Sequence, residues 1–180
     1  MVIQVVFETH ALSVDNEQGV ATGWLPGELS ERGRAAAAAL GERRRDDGLA
    51  AVFTSDLRRA MQTAAIAFAD SDIPVFVDWR LRECDYGRLN GAAAGDVHAD
   101  RGRYLRSPYP DGESWLQAVQ RVSGLVADLP SRWAARRVLV IGHMATRWGL
   151  ETLLNGVTLE QLAREQFRWR EGWEYRVEDD

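Results

Sequence analysis

The sequence predicts a three-layer α/β/α fold with a mostly parallel central sheet. Short apolar, β-branched runs stand at Val2–Phe7, Ala50–Thr54 and Val138–Gly142, and helical spacing returns after each of them. Strands that alternate with helices in this way build βαβ units, which put helices on both faces of a parallel sheet. No repeat, low-complexity tract or linker interrupts the pattern. The 180 residues therefore read as one domain spanning 1–180, long enough to bury a single core.

Each element has its own reason. Val2–Phe7 is apolar almost throughout, as expected of a strand covered on both faces. Ser30 suits the N-cap of a helix running through the alanines to about Arg45, because its hydroxyl can accept from a free first-turn N–H. Ala50–Thr54 reads as a second strand, and Leu57–Ala69 carries apolar residues at helical spacing. Pro74–Asp78 is a third, short strand. Glu113–Trp133 reads as one long amphipathic helix, Val138–Gly142 as another buried strand, and Thr146–Leu154 as the start of a further helix. Gly91–Gly112 mixes Gly, Pro and charge with weak periodicity and reads as a surface excursion. Near the end, FRWREGWEY alternates aromatic and charged residues like an edge strand.

Composition excludes several classes. A net charge of −5 argues against nucleic acid as a partner, although a local arginine cluster can still receive a small anion. All 22 basic residues are Arg, which rules out Schiff-base and P-loop lysine chemistry. Cys84 is the single cysteine, so no disulfide forms within the chain, as suits a reducing cytoplasm. The start, MVIQVVFETH, lacks a basic n-region and its apolar run is too short for a signal or a membrane span. The expectation is a soluble cytoplasmic protein with no membrane partner.

In open α/β sheets, ligands bind beyond the carboxyl ends of the strands. The first strand runs out at Glu8-Thr9-His10, the second runs into Ser55-Asp56-Leu57-Arg58-Arg59, and VLVIG runs into His143. Two of the three histidines and an arginine pair thus arrive at one sheet edge, beside a helix N-terminus whose N–H groups favour an anion.

Asn16 stands six residues after His10. Thr22-Gly23-Trp24 and Leu29-Ser30-Glu31-Arg32-Gly33 follow, then Ser55-x-Leu57-x-Arg59-Ala60-x-x-Thr63-Ala64, Leu81-Arg82-Glu83-Cys84-Asp85-Tyr86-Gly87 and the strand Val138–His143. In this order the segments resemble those of the histidine phosphatase superfamily, the phosphoglycerate mutase-like proteins. Asn16 has the spacing of the family's Asn, the segment around Glu83 resembles the one bearing its acid, and Val138–His143 the strand bearing its second histidine. The matches cover His10 to about Leu154. Each motif alone is weak; together and in order they are specific.

The resemblance implies a phosphoglycerate mutase-like fold and a role for each residue. His10 attacks phosphorus and becomes a phosphohistidine, splitting one displacement into two. Arg59 and His143 hold the non-bridging oxygens, and Asn16, Thr22, Gly23 and Met144 add phosphate contacts. Glu83 protonates the leaving oxygen and then activates water. No metal or cofactor is required. The expected activity is a phosphomonoesterase acting on a small phosphorylated metabolite, with a mutase as the nearest enzymatic alternative. The exposed C-terminal edge would permit a homodimer.

The pattern also breaks. The family's Arg before the nucleophile is Thr9, and the Gly after it is Ala11. Loss of that guanidinium costs ~10²–10³ in rate unless another group substitutes. Arg147 and Arg58 are the candidates, with Arg58 turned about 100° from Arg59 on the helix. Glu8 either faces the pocket, to its disadvantage, or points away. A protein that binds a phosphorylated ligand or a protein partner without turnover is the alternative that Thr9 motivates; retention of His10, Glu83 and His143 speaks against it. Among the remaining residues, His98 reads as exposed, Cys84 as a packing residue and Trp24 as a pocket wall. Arg43-Arg44-Arg45 reads as a helix end where cations suit the dipole.

Overall fold

A computed structural model describes residues 2–178. Its strands are β1 (Val2–Thr9), β2 (Val20–Ala21), β3 (Leu49–Thr54), β4 (Val75–Val77), β5 (Ala92–Ala93), β6 (Arg137–Gly142) and β7 (Trp173–Glu178). Five of them form one sheet in the order β4-β3-β6-β1-β7. The first four run parallel, and β7 closes the edge antiparallel to β1. β2 and β5 pair separately. The helices are α1 (Val14–Glu17), α2 (Glu31–Arg44), α3 (Arg58–Ala67), α4 (Ala94–Asp100), α5 (Trp115–Asp128), α6 (Pro130–Trp133), α7 (Met144–Asn155) and α8 (Leu159–Arg164).

Successive strand side chains point to opposite faces, and that alternation builds the layers. On one face Val6, Val52, Leu139 and Ile141 meet Leu40 of α2 and Ala64 of α3. On the other, Val5, Phe7, Phe53 and Val140 meet Val122 and Leu125 of α5 and Leu150 of α7. The sheet is thus sandwiched between two helical layers, as the alternation of strands and helices predicts. No helix among the described residues is long and apolar enough to cross a membrane.

Two expectations need correction. Glu113–Trp133 is not one unbroken helix: α5 ends at Asp128 and α6 restarts at Pro130. Proline has no N–H to continue the ladder, so its fixed φ suits the first turn of a new helix. Gly91–Gly112 is not a loose excursion either. It holds β5, α4 and a 3₁₀ turn over Arg101–Tyr104. Val97, Leu105 and Tyr109 from it are buried with Trp115 and Trp148 in a second core. His98 is exposed as expected, and Cys84 is fully buried in that same core.

Glu8 resolves towards the face opposite Thr9. It is 1% exposed, and one of its oxygens accepts from Arg44 Nη2 at 2.7 Å and Arg43 Nη2 at 3.0 Å. Arg44 also donates to Asp47 at 2.8 Å and to the Glu171 carbonyl at 3.2 Å. The triple-arginine helix end therefore anchors α2 to the buried side of β1, which the dipole reading did not foresee.

Breaking a buried pair strands a charge, whereas replacing both partners with apolar groups does not. Arg44→Ala leaves buried Glu8 with the more exposed Arg43 alone and is expected to lower unfolding free energy by about 3 kcal/mol. The double variant Glu8→Leu/Arg44→Met should lose markedly less. Urea denaturation checks this, and equal losses would contradict a buried-charge origin.

Candidate active site

Three adjacent parallel strands end at the same edge. β1 delivers His10, β6 delivers His143 and β3 delivers Ser55, with Arg59 in the first turn of the helix that follows. The His10 and His143 ring centroids lie 4.9 Å apart. Arg59, 2% exposed, sits against both: its Nε donates to His10 Nε2 at 3.2 Å and its Nη2 to His143 Nδ1 at 3.3 Å. The same guanidinium donates to the Gly23 carbonyl at 2.9 Å and the Leu25 carbonyl at 3.4 Å.

These contacts fix both tautomers. His10 Nδ1 lies 2.7 Å from the Ala11 carbonyl, an acceptor only, so Nδ1 carries the proton and Nε2 keeps a lone pair. Burial and the Arg59 charge push the His10 pKa down to about 3, so the ring is neutral across the physiological range. His143 accepts from Arg59 at Nδ1 and so donates from Nε2 to Ser55 Oγ, 2.7 Å away. Burial, then Arg59, pull its pKa well below the ordinary histidine value.

Glu83 stands at the N-terminus of α7. Its Oε1 accepts from the amides of Ala145 at 3.0 Å and Cys84 at 2.9 Å, and its Oε2 from the Met144 amide at 3.2 Å. Burial nevertheless dominates and raises its pKa above the usual glutamate value, against the lowering pull of these N–H groups and Arg59. A carboxyl biased towards its protonated form can give a proton away. Trp24 fixes the backbone beneath it: Nε1 donates to the Glu83 carbonyl at 2.7 Å, and Arg82 stacks 4.5 Å from the indole centroid.

The four expected phosphate-binding positions fare differently. Gly23 belongs to the cluster, through its carbonyl on Arg59. Its φ of +53° and the Asn90 Oδ1 that a Cβ would meet at 1.8 Å both demand glycine. Met144 gives its amide to Glu83 rather than leaving it free. Thr22 is buried and donates its hydroxyl to Asp15 at 2.8 Å. Asn16 is exposed, and its Oδ1 caps α1 by accepting from the Ser13 amide at 3.1 Å.

Neither candidate fills the space at Thr9. Arg147 donates to both Glu165 oxygens at 2.7 and 2.8 Å and lies over the Trp173 ring. Arg58 pairs with Glu28 at the surface. Sequence reasoning also passed over Ser55 and Thr63 as working residues. The motif that carries Arg59 contains both. Asn90, which orders the Gly23–Trp24 turn, left no signal of its own.

The profile of the Histidine phosphatase superfamily (branch 1) matches residues 6–171. The chain is 35% identical to the 2,3-bisphosphoglycerate-dependent phosphoglycerate mutase of Methylobacterium radiotolerans, over 98% of its own length and 90% of the relative's. Among solved structures it is similar to Bacillus stearothermophilus YhfR, with a TM-score of 0.85, 25% identity and coverage of 99% of this chain and 92% of that one. The mycobacterial glucosyl-3-phosphoglycerate phosphatase gives a TM-score of 0.77 at 26% identity, covering 91% and 84% of the two chains.

Both histidines bear on stability. Each has a folded pKa below its unfolded value near 6.5, so the unfolded chain takes up protons first as pH falls. Stability is therefore full well above pH 6.5 and declines below it, for His10 until about pH 3, by up to about 1.4 kcal/mol per pH unit for each histidine. Urea midpoints between pH 7 and pH 4 should show His10→Ala with a shallower acid limb than wild type. An unchanged slope would mean that His10 already titrates normally in the folded protein.

Proposed function

The chain belongs to the histidine phosphatase superfamily (branch 1), and from that premise we propose that it hydrolyses phosphomonoesters through a phosphohistidine on His10. The observation that carries the reading is the His10 tautomer. With Nδ1–H on the Ala11 carbonyl, Nε2 is left unprotonated, and its lone pair accepts from the buried guanidinium of Arg59 until a phosphoryl group takes that place.

In the first step Nε2 bonds to phosphorus while the bond from phosphorus to the leaving oxygen breaks, and Glu83 supplies the proton that oxygen needs. Arg59 and His143 hold the non-bridging oxygens, His143 after taking up a proton when the anion arrives. In the second step Glu83 accepts a proton from water, water oxygen bonds to phosphorus, and the N–P bond breaks to restore neutral His10. Thr22 and Met144 spend their donors on Asp15 and Glu83 and so shape the pocket wall, whereas Asn16 and Gly23 are engaged through acceptor oxygens, which leaves the Asn16 side-chain amide as a neutral donor to the anion. Histidine and arginine supply the charge, so the reaction runs without metal. The reading includes a single domain over 1–180, a small phosphorylated metabolite as substrate, the cytoplasm as location, and a homodimer across the free edge of β7.

A phosphoglycerate mutase activity is the second reading, favoured by the 35% identical relative. Supply of a bisphosphorylated sugar acid separates the two: a mutase returns an isomerised phosphate ester, a phosphatase inorganic phosphate.

Turnover of p-nitrophenyl phosphate in chelator between pH 5 and 8 tests the proposal. His10→Ala should abolish activity, and Arg59→Ala should lower kcat by ~10²–10³. Quench of wild type in alkaline denaturant should trap a phosphoryl group on His10 that is stable to base and lost in acid. A wild type no faster than His10→Ala on any phosphate ester would leave a binding protein as the reading.

A further inference from the structure

We propose that Thr63 is a positioning residue of this site. Its hydroxyl joins the loop behind His10 to the helix bearing Arg59, and through Ala11 it holds His10 in the tautomer that leaves Nε2 unprotonated. The inference rests on His10 being the nucleophile.

Thr63 is fully buried one helical turn after Arg59. Its Oγ1 donates to the Arg59 carbonyl at 2.8 Å and accepts from the Ala11 amide at 3.0 Å. A hydroxyl has one proton and two lone pairs. Spending the proton on the carbonyl four residues back turns a lone pair outwards, to the Ala11 N–H. One side chain thus ties together the segments that present the site's nucleophile and its buried guanidinium.

The consequence for His10 runs through one residue. Ala11 uses its N–H on Thr63 and its carbonyl on His10 Nδ1. The next carbonyl, of Leu12, is held from α2, where the Ser30 amide donates at 3.0 Å. Gly33 allows this approach, because a Cβ there would meet the Leu12 oxygen at 1.8 Å. With Leu12 held from α2, Thr63 fixes the other end of the loop. Without its hydroxyl the part-buried Ala11 N–H loses its protein partner, at a cost that favours rotation of the peptide. The carbonyl then leaves Nδ1, and only the Arg59 N–H at Nε2 still opposes the other tautomer; with the Thr63 bond to the Arg59 carbonyl lost as well, that contact loosens and the proton moves to Nε2, where it blocks attack.

Thr63→Val keeps the shape and removes the hydroxyl; Thr63→Ser keeps the hydroxyl. Nitrogen-15 NMR of ring-labelled histidine reads the tautomer directly, and kcat with KM reads its effect. Thr63→Val is expected to shift His10 from Nδ1–H towards Nε2–H and to lower kcat by ~10–100-fold, with a smaller change in KM. Thr63→Ser is expected to restore the wild-type spectrum and most of kcat. A folded Thr63→Val, by circular dichroism, that keeps the Nδ1–H signature would overturn the proposal whatever its melting temperature. The NMR readout needs no turnover, so it decides the role of Thr63 even if no phosphate ester is hydrolysed.

Discussion

The site depends on the placement of one guanidinium. Arg59 is buried and makes no ion pair among the described residues, although burying an uncompensated cation is costly. Burial lowers its pKa, with Glu83, Tyr86 and Asp15 acting in the opposite direction from a distance. Neutral acceptors surround it instead: two imidazole nitrogens and the Gly23 and Leu25 carbonyls. That arrangement needs three strand ends at one edge and a turn at Gly23–Leu25 folded back over them. Much of the parallel sheet and the Gly23 conformation can be understood as holding those acceptors in place.

Nearby charges are kept away from this cation by pairing elsewhere. The alternation of β1 sends Glu8 to the face where Arg43 and Arg44 wait, so a carboxylate two residues from His10 does not reach Arg59. Arg82 pairs with Asp56 and Arg121 with Glu113, leaving the side chains that edge the site electrically satisfied. Arg147 and Arg58 are spent on Glu165 and Glu28. An incoming phosphoryl group therefore meets a pocket with one strong cation, and the absence of a guanidinium at Thr9 is left uncompensated by either candidate arginine.

What was legible in the sequence was local or periodic. The buried strands, the Ser30 cap and the arrival of His10, Arg59 and His143 at strand ends follow from hydrophobic runs and their order; Ser30 indeed accepts from the Gly33 amide at 3.1 Å. Glu83 was found only through the resemblance, because nothing in its own segment says that α7 will deliver amides to it from about sixty residues away. The fate of Arg147 and Arg58 was hidden for the same reason: their carboxylates lie on other segments, and an arginine's sequence position does not name its partner. The stretch from Gly91 to Gly112 looked irregular because its buried residues, Val97, Leu105 and Tyr109, pack against distant Trp115 and Trp148 rather than along one periodic face. Asn16 had the right spacing, and the cap of α1 takes only its carbonyl oxygen, a use of the side chain that the spacing did not signal.

The contacts of Arg59 differ in what they can give up. A guanidinium has five N–H groups in a fixed fork. Backbone carbonyls of Gly23 and Leu25 belong to a turn braced by Asn90 and Trp24, so they stay when a ligand enters. The two imidazole nitrogens are acceptors of another kind, because one is the proposed nucleophile and the other can become a donor by taking up a proton. On the proposed reading, phosphate oxygens replace His10 and His143 on the fork while the carbonyls keep its orientation. Arg59 would then move little, and the electrostatic stabilisation of the transferring group would be largely built before the substrate arrives.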